Sequence, residues 1–204
     1  MRYSKNGAMV NLQTHRLLFL LLWWALLFPA FAHASSLAIT SASIRFHNGW
    51  WEVTPVFLWQ IDPPVIEAIH SGVALRFQLK SRLIQQAPLW WDKILESQNQ
   101  NLEVRYFSLS KQYLLKNRNT GQQRRFLQLN NLWKHIGQMA PVRLPAHRHA
   151  DSVELRLRLD TGALPAAMQL PTLLDRAWHL DSGWRSFPLP PVQNSPRDAN
   201  KPLP

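Results

Sequence analysis

Along most of this chain apolar residues recur at every second position, the spacing of strands with one buried face. Over residues 37–46 the alternation is loose, with Ala38, Thr40, Ala42, Ile44 and Phe46 on one side and Ser41, Ser43 and Arg45 on the other. Asn48 and Gly49 follow, a pair suited to the positive φ angles of a tight hairpin turn. The return arm, residues 50–59, places Trp51, Val53, Phe57 and Trp59 on one face. Pro55 has no amide hydrogen, which predicts an edge strand or a bulge. Residues 62–72 read as a short helix: Asp62 caps it, Pro63 fits its first turn, Val65, Ile66 and Ile69 face inward, and Gly72 ends it. Val73, Leu75, Phe77 and Leu79 then alternate with Ala74, Arg76, Gln78, Lys80 and Arg82, a strand with a basic outer face.

Residues 88–93 open a strand or a short helix, and Leu102, Val104 and Tyr106 alternate with Glu103, Arg105 and Phe107. A strand starts at Tyr113, residues 117–121 turn, and residues 125–129 return. A second helix begins at Asn130 or Asn131 and ends near Gln138, with Leu132, Trp133 and Ile136 inward. Residues 140–151, which hold Pro141, Pro145 and two histidines, read as a loop. Val153, Leu155, Leu157 and Leu159 against Glu154, Arg156, Arg158 and Asp160 form the cleanest alternation of all. A further helix is expected around residues 171–177, and Trp184 and Phe187 are expected to close the core. Six or seven antiparallel strands with two or three short helices define a β-rich α+β, sandwich-like domain over residues 35–187. Residues 188–204, rich in proline and polar residues, read as a disordered tail.

The amino terminus departs from this pattern. Arg2, Lys5 and Arg16 precede an unbroken apolar run over residues 17–28, and Ala32 and Ala34 supply the small residues that a signal peptidase requires. Residues 1–34 therefore read as a signal peptide, cleaved after Ala34; the alternative is a single uncleaved anchor extending through Phe31. The expected location is the periplasm, with membrane attachment if the leader stays. No cysteine follows the run, so no lipoprotein anchor is expected.

The leader carries three of the 23 basic residues and none of the 12 acidic ones, which leaves the remainder at a formal charge of +8. Such a domain outside the cytoplasm meets anionic lipid headgroups or acidic protein faces, and export argues against nucleic acid as its partner. The chain has no cysteine, so disulfides, thiol catalysis and thiolate metal sites are excluded, and stability must come from packing.

Several stretches together resemble a known family. They are residues 72–77, the run Arg105-Tyr106-Phe107-Ser108-Leu109-Ser110-Lys111-Gln112-Tyr113, Phe126-Leu127-Gln128-Leu129 before a helix, residues 155–160 followed by Leu164-Pro165, and residues 178–184. Over residues 37–187 the chain resembles the exported, proline-rich signal-peptide proteins, found mainly in proteobacteria, that are filed as domain of unknown function 4390. Where that family usually shows a Leu-Ser pair before the first helix, this chain has Trp59-Gln60. The resemblance implies export and fold; it brings no activity, cofactor or catalytic set.

Eight tryptophans lie beyond the leader. Neighbours on a strand point to opposite faces, so one member of each pair, Trp50/Trp51 and Trp90/Trp91, should be exposed as part of an interface. Arg105, Tyr106 and Tyr113 belong to the densest polar-aromatic stretch and are further interface candidates. Lys111, Lys116, Arg118, Arg124 and Arg125 flank one hairpin and could contact an anion or lipid headgroup. His147, His149 and Asp151 form the one cluster with metal-ligand character, although Arg148 between the histidines opposes a cation. Ser182, with Asp175, His179 and Asp181 nearby, lacks the G-x-S-x-G elbow of a catalytic serine. The expectation is a non-enzymatic envelope binding or accessory module without a cofactor, whose partner is an envelope protein or an anionic membrane surface. The rival expectation is a domain that holds a small apolar ligand in a cavity walled by Phe77, Val104 and Leu157, and a hydrolase is the third.

Overall fold

The computed structural model describes residues 36–191, except 88 and 90; the leader, Trp90 and most of the tail lie outside the described residues. Nine strands form two antiparallel sheets. The smaller has the order β1 (Ser36–His47), β2 (Trp50–Gln60), β7 (Val142–Pro145). The larger runs β6 (Gln123–Phe126), β5 (Gln112–Asn117), β4 (Lys93–Phe107), β3 (Leu75–Gln85), β8 (Ser152–Leu159), β9 (Arg185–Pro188). Three short helices, α1 (Pro63–His70), α2 (Leu129–His135) and α3 (Ala166–Leu174), join them. The fold is the β-rich, sandwich-like α+β arrangement that the alternation implies.

The central strands each bury one face. Leu75, Phe77 and Leu79 of β3, Leu102 and Val104 of β4, Leu115 of β5 and Leu155 and Leu157 of β8 are sealed from solvent. They meet Leu37, Ile39, Trp51 and Val53 of the small sheet and Val65, Ile69, Leu132 and Ile136 of the helical segments. Three aromatic rings join the layers. Trp59 of β2 stacks on Trp133 of α2 with ring centroids 4.5 Å apart, and the edges of both meet Phe77 of β3, at 5.3 and 5.9 Å.

The structure corrects several expectations. β1 holds a bulge between Ile39 and Ser41, so Leu37 and Ile39 point inward while Ala38 and Thr40 are exposed. Beyond the bulge the phase returns to Ala42, Ile44 and Phe46, and Thr40 donates its hydroxyl to the Val56 carbonyl. β2 is the central strand, yet β7 pairs only with Trp50–Val53 of it, so Pro55 lies where β2 has a neighbour on one side alone. Residues 142–145, expected in a loop, form β7, and Gln98 and Gln100 donate their side-chain amides to the carbonyls of Arg143 and Pro141. β4 begins at Lys93, well before the alternation that signalled it.

In α1 the inward stripe is Val65, Ala68 and Ile69 rather than Ile66, and the cap is the Asp62 carbonyl, which accepts from Val65 and Ile66. α3 starts five residues earlier than expected, and Pro171 sits inside it. Trp184 is half-exposed, with the Arg82 guanidinium 3.9 Å above its ring; it does not close the core. The hairpin turn at Asn48 (φ 49°) and Gly49 (φ 80°) and the helix termination at Gly72 (φ 87°) are as expected.

After α2 the chain crosses β2 so closely that a Cβ on Gly137 would lie 1.9 Å from the Pro55 carbonyl oxygen. Backbone cannot yield as a flexible side chain does. Gly137→Ala is expected to cost about 1–3 kcal/mol by overpacking, read as a lower urea midpoint with an unchanged slope; a midpoint equal to wild type would show that this contact is loose.

Candidate functional site

Turns at one end of the sandwich carry exposed aromatic and aliphatic groups. β3 and β4 pair as far as Gln85 and Lys93, and the connection projects beyond the sheet. There Leu89 is 90% and Trp91 87% exposed, while the Ala87 amide donates to the Asp92 carboxylate at 3.2 Å. The chain between β7 and β8 lies beside this tip. The Asp151 amide donates to the Ile84 carbonyl, and the Asp151 carboxylate accepts the Gln86 amide at 2.8 Å. The β1–β2 turn joins from the other sheet, because Ala146 donates to the Gly49 carbonyl and Trp50 pairs with Pro145.

Trp50 on that turn is 48% exposed, whereas Trp51 is 3% exposed and packs against Phe46 with the rings tilted at 59°. Trp51 is therefore removed from the interface candidates; Trp50 and Trp91 stand on the surface, and Trp90 lies outside the described residues. Around them His47, Lys93, His147, Arg148 and His149 are exposed. The carboxylates of this end, Asp92 and Asp151, both accept backbone amides. This end is thus apolar at its tips and basic at its shoulders.

The metal cluster is not assembled. Among the described residues no three His, Asp or Glu side chains come together to hold an ion, and Asp151 serves the neighbouring turn instead. Ser182 is likewise committed to backbone: its hydroxyl accepts the Leu157 amide and donates to the Gly183 carbonyl. Asp181 pairs with Arg156, and Asp175 accepts the Ala177 amide.

Tyr106 and Tyr113 sit on the inner face where α1 ends. The Tyr113 hydroxyl lies 2.7 Å from His70 Nε2, and the three rings are 4.8–5.9 Å apart. Burial, with Tyr106 adding to it, holds the Tyr113 phenol above its usual pKa. Tyr113 is buried, so this pair forms a plug rather than an open contact.

Arg105 points to the opposite face of the large sheet. There Glu103 takes Arg118 at 2.6 Å, Arg76 at 3.3 Å and Arg105 at 3.4 Å. Of the five hairpin cations, three share this face, Arg118 by contact with Glu103 and Lys116 and Arg125 by register. Arg124 lies on the other face, its guanidinium 5.6 Å from the Phe126 ring, and Lys111 occupies a turn with φ of 51°. They do not form one patch.

A family model for a domain of unknown function, DUF4390, matches residues 34–188. The chain belongs to the DUF4390 family. No curated protein and no solved structure matches it. The match covers both sheets of the DUF4390 domain, from the first strand to the last.

Sequence reading missed Leu89 as an exposed group and also missed Leu170, Leu173 and Leu174, which α3 presents to solvent. A signal existed for the second: α3 reads Ala-Ala-Met-Gln-Leu-Pro-Thr-Leu-Leu, too apolar all round for a surface helix with one buried stripe.

Desolvation raises the Glu103 pKa, but the Arg118 hydrogen bond and the charges of Arg105 and Arg118, with Arg76, outweigh it and leave the carboxyl below its ordinary value of 4.5. Asp181 falls below 3.8, through Arg156 first, against desolvation and with the Gly183 amide. Both groups bind protons more weakly folded than unfolded. Their stabilisation is complete above the ordinary values and disappears as pH falls through the lowered ones. The urea midpoint of wild type is expected to fall below about pH 4, and Glu103→Gln should begin lower and lose less; parallel curves would mean that Glu103 does not carry this acid sensitivity.

Proposed function

We propose that this DUF4390 protein is a non-enzymatic binding module of the bacterial envelope, exported by its leader and working on the periplasmic side. Its contact surface is the turn-built end of the sandwich, and the surface it meets is an anionic membrane. One observation carries the reading: Leu89, Trp91 and Trp50 stand out at the end where His47, Lys93, His147 and His149 are exposed and both carboxylates are occupied by backbone amides.

Tryptophan suits the boundary between water and hydrocarbon because its ring is apolar and its N–H is polar. Each Lys or Arg held near an anionic headgroup layer adds about 1 kcal/mol. Two largely exposed apolar tips beside Lys93 and Arg148 suit reversible attachment and fall far short of insertion.

Support for binding over catalysis comes from how the reactive groups are used. Ser182 and Asp151 hold backbone, and Asp181 holds Arg156. An apolar ligand between the sheets would have to displace Phe77, Val104 and Leu157, all closed off in the core.

The exported form is expected to sediment with vesicles rich in phosphatidylglycerol more than with neutral phosphatidylcholine vesicles. The double change Leu89→Ser and Trp91→Ser is expected to weaken that partition about tenfold or more while leaving the urea midpoint within about 0.5 kcal/mol of wild type. Equal sedimentation of the double variant and wild type would remove this end as the contact surface.

A further inference from the structure

The solvent face of the large sheet has two halves that treat their cations differently. On the β8 side each arginine has its own local partner. Arg156 pairs with the Asp181 carboxylate, Arg158 donates to Gln78, and Arg82 lies over the Trp184 ring. On the β4–β6 side Arg76, Arg105, Lys116, Arg118 and Arg125 share one face by register or contact, and Glu103 is the carboxylate in contact with three of them.

The vertical order matters. The Glu103 side chain is 10% exposed, whereas those of Arg76, Arg105 and Arg118 are 40%, 46% and 46% exposed. The carboxylate therefore lies beneath the guanidinium groups. An approaching anion meets arginine N–H groups first. Each guanidinium contributes one N–H to Glu103 out of the five it owns, Nε from Arg76 and an Nη group from each of the others. Like charges held around one point would ordinarily spread into solvent; a shared carboxylate offsets their repulsion and holds them in place.

We infer that Glu103 gathers Arg76, Arg105 and Arg118 into a preorganised site for a phosphate group, with Lys116 and Arg125 adding charge at its margin. Phosphate suits the array because its oxygens diverge from one centre and each can accept from a different guanidinium, and because planar N–H forks match phosphate better than ammonium groups do. The group could be a soluble phosphate ester or the headgroup of a phosphomonoester lipid; the chemistry at the protein is shared. This site lies on a strand face and is independent of the turn-built end.

The test uses the full chain as the cell exports it. Inorganic pyrophosphate, titrated by calorimetry at fixed ionic strength, represents the soluble source, and vesicles carrying phosphatidic acid in phosphatidylcholine represent the lipid. Arg105→Gln and Arg118→Gln are each expected to weaken binding about tenfold, whereas Lys80→Gln, which removes one charge from the same face, should change it less than about twofold.

Glu103→Gln is the decisive variant. It makes the face more positive, so unstructured charge accumulation predicts tighter binding, while a carboxylate that organises the arginines predicts binding weakened about threefold or more. Tighter binding by Glu103→Gln, or equal losses for Lys80→Gln and Arg105→Gln, would overturn the site, as would failure of both probes to bind. If Glu103→Gln unfolds the sheet, the half-exposed Arg105 against Lys80 still decides. Binding of pyrophosphate and phosphatidic acid alike confirms the site for the phosphate group itself. Binding of the vesicles alone confirms it for a membrane headgroup where Arg105→Gln lowers that binding, and vesicle binding lowered only by the Leu89→Ser and Trp91→Ser change overturns it. The Leu89→Ser and Trp91→Ser variant is expected to bind pyrophosphate as wild type does, which keeps failure at the turn-built end distinct from failure here.

Discussion

The contact of Trp59, Phe77 and Trp133 holds three separate pieces of chain together. Trp59 comes from the small sheet, Phe77 from the middle of the large one and Trp133 from α2. The chain has no disulfide, so nothing covalent fixes the sheets against each other. Aromatic rings bury large areas each, and tilted or offset pairs add about 0.5–1.5 kcal/mol beyond that area. The close crossing of Gly137 over Pro55 belongs to the same constraint, because α2 can bring Trp133 onto Trp59 only if the chain leaving it passes flush against β2.

Once the sheets are set in this way, polar groups fall to the edges and the outer face. Among the described residues the indole nitrogens of Trp51 and Trp59 and the Ser152 hydroxyl are buried with no partner, while Asn117 is the buried polar side chain with the most partners. Its amide donates to Gln100 and to the Met139 carbonyl, and its oxygen accepts from Asn119 and Thr120, so one side chain closes the β5–β6 turn and ties it to the segment after α2. β7 is too short to shield itself, and Gln98 and Gln100 of β4 reach across to its carbonyls. The exposed surface is left to turns bearing Leu89, Trp91 and Trp50 and to a face crowded with arginine.

Much of the fold could be read directly from residue order. Long strands with a clean two-residue period, β3 and β8 above all, kept the faces that alternation implies. So did α2, whose Leu132, Trp133 and Ile136 are all buried. β7 has too little pattern to read, because only three residues lie between Pro141 and Pro145. The start of β4 was legible only as a strand or a short helix, because both of its faces are largely polar there. Trp184, expected to close the core, lies instead under the Arg82 guanidinium, because an arginine can cover an indole as well as a core can. Among the candidate site residues, the alternation rule separated Trp50 from Trp51 correctly and left open which one points outward.

Local sequence determined which segments are extended, where the chain turns at Asn48-Gly49 and ends a helix at Gly72, and that export and a cysteine-free core are to be expected. Those features depend on neighbours within a few residues: backbone freedom, a missing amide hydrogen, a two-residue period. Tertiary structure alone decided the bulge at Thr40, the strand at residues 142–145, the gathering of three arginines on Glu103 and the meeting of two turns with the residue 146–151 loop at one end. Each of these depends on which distant strand lies alongside and in what register, and a one-residue shift in register reverses every face it touches.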